Sequence, residues 1–402
     1  MKKRALLNLV LFVSLVIFLL SCSSAPSSSP GSPESGPNQS SNDSPPEKET
    51  SKPDKYKVGV VMPLSGSAAE NGEDAVAGVE FAANEINKKG GIGGIAVEII
   101  AEDGKALPKE SVNSVQKLIT VDKVPAILSG FSSPLLAAAP IAEQNKVLLV
   151  QAGAASPRLA DASSFLINAT VLQNVELDYL TKYTHDELGL SKMAVIYQNN
   201  DLGLGIKEAL EKYMSNLGGS VVSAESFEVG AVDYRTQLTK IRDSKPDMLY
   251  IAAAGKDVPL IIKQSREYGL DALLLSYHVF QMPEEYRVIA GDAATGAIFT
   301  SSTSSVDPDF IQRWKDEVGK ELVDISAAYY DAANMVFQGM EYADKNGYGV
   351  TGEGIRKAIF EIGEFDGATG KMRIPDTGNA IKKIEIKKID KEGYTTLKTI
   401  EP

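Results

Sequence analysis

From residue 57 onward, apolar and polar positions switch repeatedly between two periods. "KVGVVMPL" (57–64) is a short apolar run closed by Ser65-Gly66, which predicts a strand buried on both faces. Residues 72–89 carry Val76, Val79, Ala83 and Ile86 at helical spacing and stop at Gly90-Gly91. "IAVEIIAED" predicts the next strand, and Pro108 opens a helix with Val112, Val115, Leu118 and Ile119 on one stripe. "VPAILSG", a helix over 133–145 and "KVLLVQAG" continue the alternation.

A second series follows Asn168: helix 174–188, "KMAVIYQN", helix 203–217, "SVVSAESFEV", helix 233–243, "MLYIAAA", helix 257–268, "LLLSYH" and "AIFTSS". Strands separated by helices of this length predict right-handed βαβ units and doubly wound parallel sheets. Two such series divide near residue 170 into two α/β lobes. Helices 307–319 and 326–345 are long enough to return to the first lobe, and the final lysine-rich strands to the second. The expected lobes are 56–170 with 302–367, and 171–301 with 368–402, joined by a hinge of several strands.

The first residues break this pattern and change the picture. Met1-Lys2-Lys3-Arg4 precedes an apolar run from Ala5 to Leu20 and then Ser21-Cys22, the order of a secretory signal over 1–21. Cys22 is the only cysteine among 402 residues, so no internal disulfide can form. Its place after Leu19-Leu20-Ser21 is similar to a bacterial lipoprotein box, which implies an exported chain anchored to the cell membrane by lipid on Cys22. Residues 22–55 hold little to bury, so they are expected to form a disordered tether reaching ~30 Å.

The net charge of −12 argues against nucleic acid or an anionic lipid surface as partner. The one basic cluster, 382–391, alternates Ile with Lys and is expected to be the solvated face of an edge strand. Neither a metal-ligand spacing nor a phosphate-binding loop is visible, so no metal or cofactor is expected. "GFSSPLLAAAP" (130–140) then poses a choice between a nucleophilic Ser132 and a helix start that holds an anion. A nucleophile elbow needs Gly where this chain has Pro134, and only His185 and His278 are available as base. The chain is therefore not expected to be an enzyme.

"VGVVMPLSGSAAENGEDAVAGVEFAANEINKKGGIGG", "ILSGFSSP", "LLVQAGAASPRL", "AVIYQNNDLGLG", "REYGLDALLL" and "AAYYDAANM" together resemble the Leu/Ile/Val-binding type of periplasmic binding proteins. These are the substrate-binding subunits of branched-chain amino acid ABC transporters. The resemblance implies two Rossmann-like lobes, three crossings, a monomer that closes on a small-molecule ligand, and delivery to an ABC permease. It implies a carboxylate cradle at Ser132 and Ser133 with the next loop at Gly153, Ala154 and Ala155, where family members often have Thr at the position of Ala155. The other ligand positions fall on Asn71, Leu202, Ala254 and His278. His278 stands where the family places an acid for the ligand's ammonium, so the expected ligand keeps a carboxylate and lacks a plain amino-acid head. Asp201 or Glu225 could supply the acid from another position. The same fold in a sensor subunit, signalling through a separate membrane partner, is the alternative role.

Overall fold

A computed structural model describes residues 53–302 and 306–401; the expected signal, Cys22 and the tether up to residue 52 lie outside the described residues. The first lobe is built on strands β1 (Lys55–Met62), β2 (Ala96–Asp103), β3 (Ala126–Ser129), β4 (Leu148–Gln151) and β5 (Leu166–Asn168). They form a parallel sheet in the order β2-β1-β3-β4-β5, with α1 (Ala69–Lys88), α2 (Pro108–Lys117) and α3 (Ser132–Gln144) as crossovers. β1 lies between β2 and β3, which explains its run of buried residues from Val58 to Met62.

The second lobe opens with α4 (Gln173–Lys182) and alternates β6 (Lys192–Gln198), α5 (Asp201–Asn216), β7 (Ser220–Phe227), α6 (Arg235–Asp243), β8 (Met248–Ala252), α7 (Asp257–Glu267), β9 (Leu273–Ser276), α8 (Glu284–Ala290) and β10 (Ile298–Ser301). β7-β6-β8-β9-β10 are parallel. The chain then returns to the first lobe as α9 (Pro308–Val318), α10 (Asp324–Lys345), α11 (Gly352–Ile362) and a hairpin, β11 (Glu364–Gly367) and β12 (Gly370–Arg373). α10 packs against α1 so closely that a Cβ on Gly78 would sit 2.2 Å from the Ser326 carbonyl oxygen. Only glycine allows this approach. Phe81, Phe310, Trp314 and Tyr330 close the same seam, with ring centroids 4.6–5.8 Å apart.

The last return differs from expectation. Phe365, Met372, Ile374 and Ala380 all pack in the first lobe's core. The third crossing therefore falls between Ala380 and β13 (Ile384–Asp390), rather than at 367/368. β13 is also not an edge strand, because it lies antiparallel between β10 and β14 (Gly393–Ile400). Its buried Ile384, Ile386 and Ile389 face the core, while Lys387 pairs with Glu385 and Lys388 with Asp390. Lys382 is buried just before it, and only 7 % of its surface is exposed. α8, α11 and the hairpin are additional to the expected elements, although Ile355, Ala358, Ile359 and Ile362 of α11 recur at helical spacing.

Candidate functional site

In an open α/β sheet, the crevice lies beyond the carboxyl ends of the two strands where the order reverses. In the first lobe that point is β1/β3, and in the second β6/β8. The loop after β1 leads to Asn71 and the loop after β3 to Ser132, while that after β6 leads to Leu202 in the first turn of α5 and that after β8 carries Ala254. Four of the sequence-derived positions thus meet at the two switch points. Gly153, Ala154 and Ala155 follow β4, and His278 follows β9, one strand further out in each sheet.

The β3–α3 turn is strained. Phe131 has φ 65° and ψ 130°, a conformation that residues with a side chain rarely adopt. This turn makes Ser132 the first helical residue, so it does not cap α3 as a flanking serine would. Its Oγ instead accepts from the Ser156 amide at 3.3 Å, which leaves the hydroxyl proton available to a ligand. Ser133 is half-buried beside it. The α3 N-terminus adds the positive end of its peptide dipoles to the same spot.

The loop after β4 is held from below. The Ala154 amide donates to Gln151 Oε1 at 2.7 Å, and the Ala155 carbonyl accepts from the Gln173 amide at 3.0 Å. Ala155 packs its methyl into the second lobe's core, and Gly153 is the exposed member. Ser156 donates to the Asp201 carbonyl across the lobes at 2.8 Å.

Asn71 is exposed in the first turn of α1. The loop before it is clamped by Asp103, which accepts from the Leu64 amide at 2.8 Å and the Ser65 hydroxyl at 2.6 Å. Partial burial raises the Asp103 carboxyl, but hydrogen bonds from Ser65, Leu64 and Lys105 outweigh it and hold the group below its ordinary value. A carboxylate with a lowered folded pKa stabilises above its unfolded value of about 3.9, and that contribution disappears as pH falls through the folded one. Asp103→Asn is therefore expected to lower the thermal midpoint at pH 7. The two midpoints should converge as pH falls below about 4.

The second lobe presents apolar and neutral groups. Asn200 caps α5 by accepting from the Gly203 amide at 3.0 Å, and Leu202 leans on the core behind it. Gln198 Nε2 ties the two switch-point loops together, donating to the Ala254 carbonyl at 3.2 Å and to Asp257 at 2.8 Å. Tyr277 donates to the Ala253 carbonyl, and its ring meets His278 edge to face at 4.9 Å. His278 itself is exposed. Four acids near the ends of β6, β7 and β8 are engaged elsewhere. Asp257 accepts from Gln198, Tyr234 and the Gly230 amide; Asp201 pairs with Arg158 at 3.0 Å; Glu225 pairs with Lys240 at 2.8 Å; Glu228 accepts from Asn199. Neither Asp201 nor Glu225 stands ready as counter-ion for an ammonium group.

A family model described as "Periplasmic binding protein" matches residues 55–394. A leucine-, isoleucine-, valine-, threonine- and alanine-binding protein of Pseudomonas aeruginosa is 25 % identical over 337 residues, covering 81 % of this chain and 87 % of its own. A leucine-binding protein of Thermotoga maritima superposes with a TM-score of 0.74 at 25 % identity, covering 86 % of this chain and 99 % of its own. An ABC transporter solute-binding protein of R. palustris, solved with 4-hydroxybenzoate, superposes with a TM-score of 0.75 at 23 % identity, covering 87 % and 97 %. No helix among the described residues is long and apolar enough to cross a membrane.

Proposed function

We propose, since the chain belongs to the periplasmic binding protein family, that it captures a small carboxylate between its lobes and delivers it to an ABC permease. The ligand is an organic acid with an apolar body and no ammonium group. Ser132 and Ser133 at the α3 N-terminus, with the Gly153–Ala155 loop, hold the carboxylate; Asn71, Leu202, Ala254 and His278 surround the body. The observation that carries this reading is the asymmetry of the cleft. One lobe offers a hydroxyl proton and a helix N-terminus, whereas Asp201, Glu225, Asp257 and Glu228 beside β6, β7 and β8 of the other are engaged by Arg158, Lys240, Gln198 and Asn199. An ammonium enclosed there without a partner would be strongly disfavoured. The R. palustris protein shows that this fold accommodates an aromatic acid, whereas the P. aeruginosa relative binds amino acids. The protein works as a monomer outside the cytoplasm, and the Leu19-Leu20-Ser21-Cys22 run supports a lipid anchor on Cys22.

Calorimetric titration of the purified protein with benzoate and with leucine tests the ligand class. Benzoate is expected to bind and leucine to bind far more weakly; tight leucine binding would sink the reading. Ser132→Ala removes one hydrogen bond to a charged group, worth about 1.5–3 kcal/mol, so affinity for the acid should fall ~10- to 100-fold.

A further inference from the structure

Beneath both cradle loops lies one side chain from a distant part of the chain. Tyr329 of α10 is fully buried, and its hydroxyl donates to the Ser129 carbonyl at the end of β3, at 2.8 Å. A Cβ on Gly130 would fall 2.5 Å from that hydroxyl oxygen, and one on Gly153 3.1 Å from the ring and 3.2 Å from the oxygen. Both loops therefore rest on the same phenol, and both meet it at a glycine, where a side chain would clash at 130 and press tightly at 153. They lead into the two halves of the cradle: Gly130 precedes the strained Phe131 and Ser132, and Gly153 precedes Ala154.

We infer that Tyr329 is a positioning residue for ligand binding, which sets the spacing and orientation of the two cradle loops without touching ligand. The inference rests on the reading of Ser132 and Gly153 as the cradle. Its physical content is simple. The two loops share few bonds directly, the Ser156 amide on Ser132 being a long one at 3.3 Å. A rigid ring with a fixed donor replaces the missing cross-links. Preorganisation of this kind raises affinity by lowering the ordering required on binding.

Tyr329→Phe deletes the hydroxyl and keeps the ring. In the ligand-free protein, nuclear relaxation at the Gly130 and Gly153 amides is expected to show added mobility at both positions, with the thermal midpoint changed by only a few degrees. Affinity for benzoate should fall by about tenfold. A second arm uses the crowding: Gly130→Ala alone should lower the thermal midpoint and benzoate affinity, and in the Tyr329→Phe background the further loss should be clearly smaller, because only Met62, 3.0 Å from the new methyl, still presses on it. Should Tyr329→Phe not fold, Gly130→Ala displaces the same hydroxyl and the Gly153 amide reports it. Unchanged relaxation at both glycines would overturn the inference, as would loosened loops with undiminished affinity. Loosened loops in a protein whose wild type ignores benzoate would instead uphold the positioning role and refute the ligand class.

Discussion

Asp331→Ala is expected to destabilise the protein by about 3–5 kcal/mol, read as a thermal midpoint lowered by roughly 10 °C. Asp331 projects from α10 into the hairpin, where it accepts from the Ala368 and Thr369 amides and from the Thr369 hydroxyl at 2.5 Å. That hydroxyl accepts in turn from Lys382 Nζ at 2.8 Å. All three residues are buried, so one threonine oxygen bridges a carboxylate and an ammonium withdrawn from water. Burial pushes the Asp331 carboxyl up and the Lys382 ammonium down, each opposed by the other's charge. Removing Asp331 leaves the buried Lys382 ammonium without its counter-charge and held only by the Thr369 hydroxyl, the costly way to break such a pair. The double change Asp331→Leu with Lys382→Met removes both charges and is expected to recover most of the loss.

The sign of the pH dependence separates this account from simple loss of packing. In the single variant Lys382 titrates in the folded state further below its unfolded value of about 10.4 than it does now. The unfolded chain then binds more protons between those two values, so stability must rise with pH across that window. Thermal midpoints of Asp331→Ala measured from pH 7 to pH 10 should climb relative to wild type. A flat difference would show that Lys382 was not the source of the damage.

Much of this molecule follows from residue pattern alone, and the exceptions share a cause. Strands such as "KVGVVM" and helices such as that carrying Val76 and Val79 declare themselves by period, and their alternation fixes two doubly wound lobes. The switch points follow from the observed strand order, and Asn71, Ser132, Leu202 and Ala254, which the family resemblance and not the pattern supplies, fall beside them. What pattern does not reveal is where a polar residue spends its hydrogen bonds. Lys382 sits in a lysine-rich run that suggests a solvated edge, yet it is buried because Thr369 and Asp331 arrive from elsewhere in the chain. Ser132 is placed as if to cap a helix, but positive φ at Phe131 moves it one position into the helix. Tyr329 and Gln151 read as ordinary core positions within helix and strand. Their roles come from partners 200 and 17 residues away, a distance over which local sequence carries no information.

Asn168→Leu is expected to cost about 3–5 kcal/mol and also to weaken ligand binding, because Asn168 is the middle link of a chain of amides, buried at Gln151 and Asn168 and half-buried at Asn379. The polarity of that chain is fixed at one end by a backbone donor. The Ala154 amide donates to Gln151 Oε1, so Gln151 must present its NH2 to Asn168 Oδ1, at 2.9 Å. Asn168 must then present its own NH2 onward, to Asn379 Oδ1 at 2.8 Å and the Leu159 carbonyl at 3.2 Å. Asn168 closes the first crossing and Asn379 lies just before the third, where the Ala380 amide also donates to the Asn168 carbonyl. One chain of amides thus joins a cradle loop to two of the three strands on which the lobes hinge. Leucine at 168 leaves Gln151 Nε2, Asn379 Oδ1 and the Leu159 carbonyl without that partner, at about 1–3 kcal/mol for each buried group left unsatisfied. Gln151, released on one side, no longer holds its oxygen against the Ala154 amide, and the loop that follows β4 loses its support. Asn379→Leu breaks the chain at the hinge end only, so it should lower stability while leaving affinity for benzoate near the wild-type value. Calorimetry on both variants, at a temperature where each is fully folded, separates the two effects. Equal affinity in Asn168→Leu and wild type would make the chain a fastening of the hinge and nothing more.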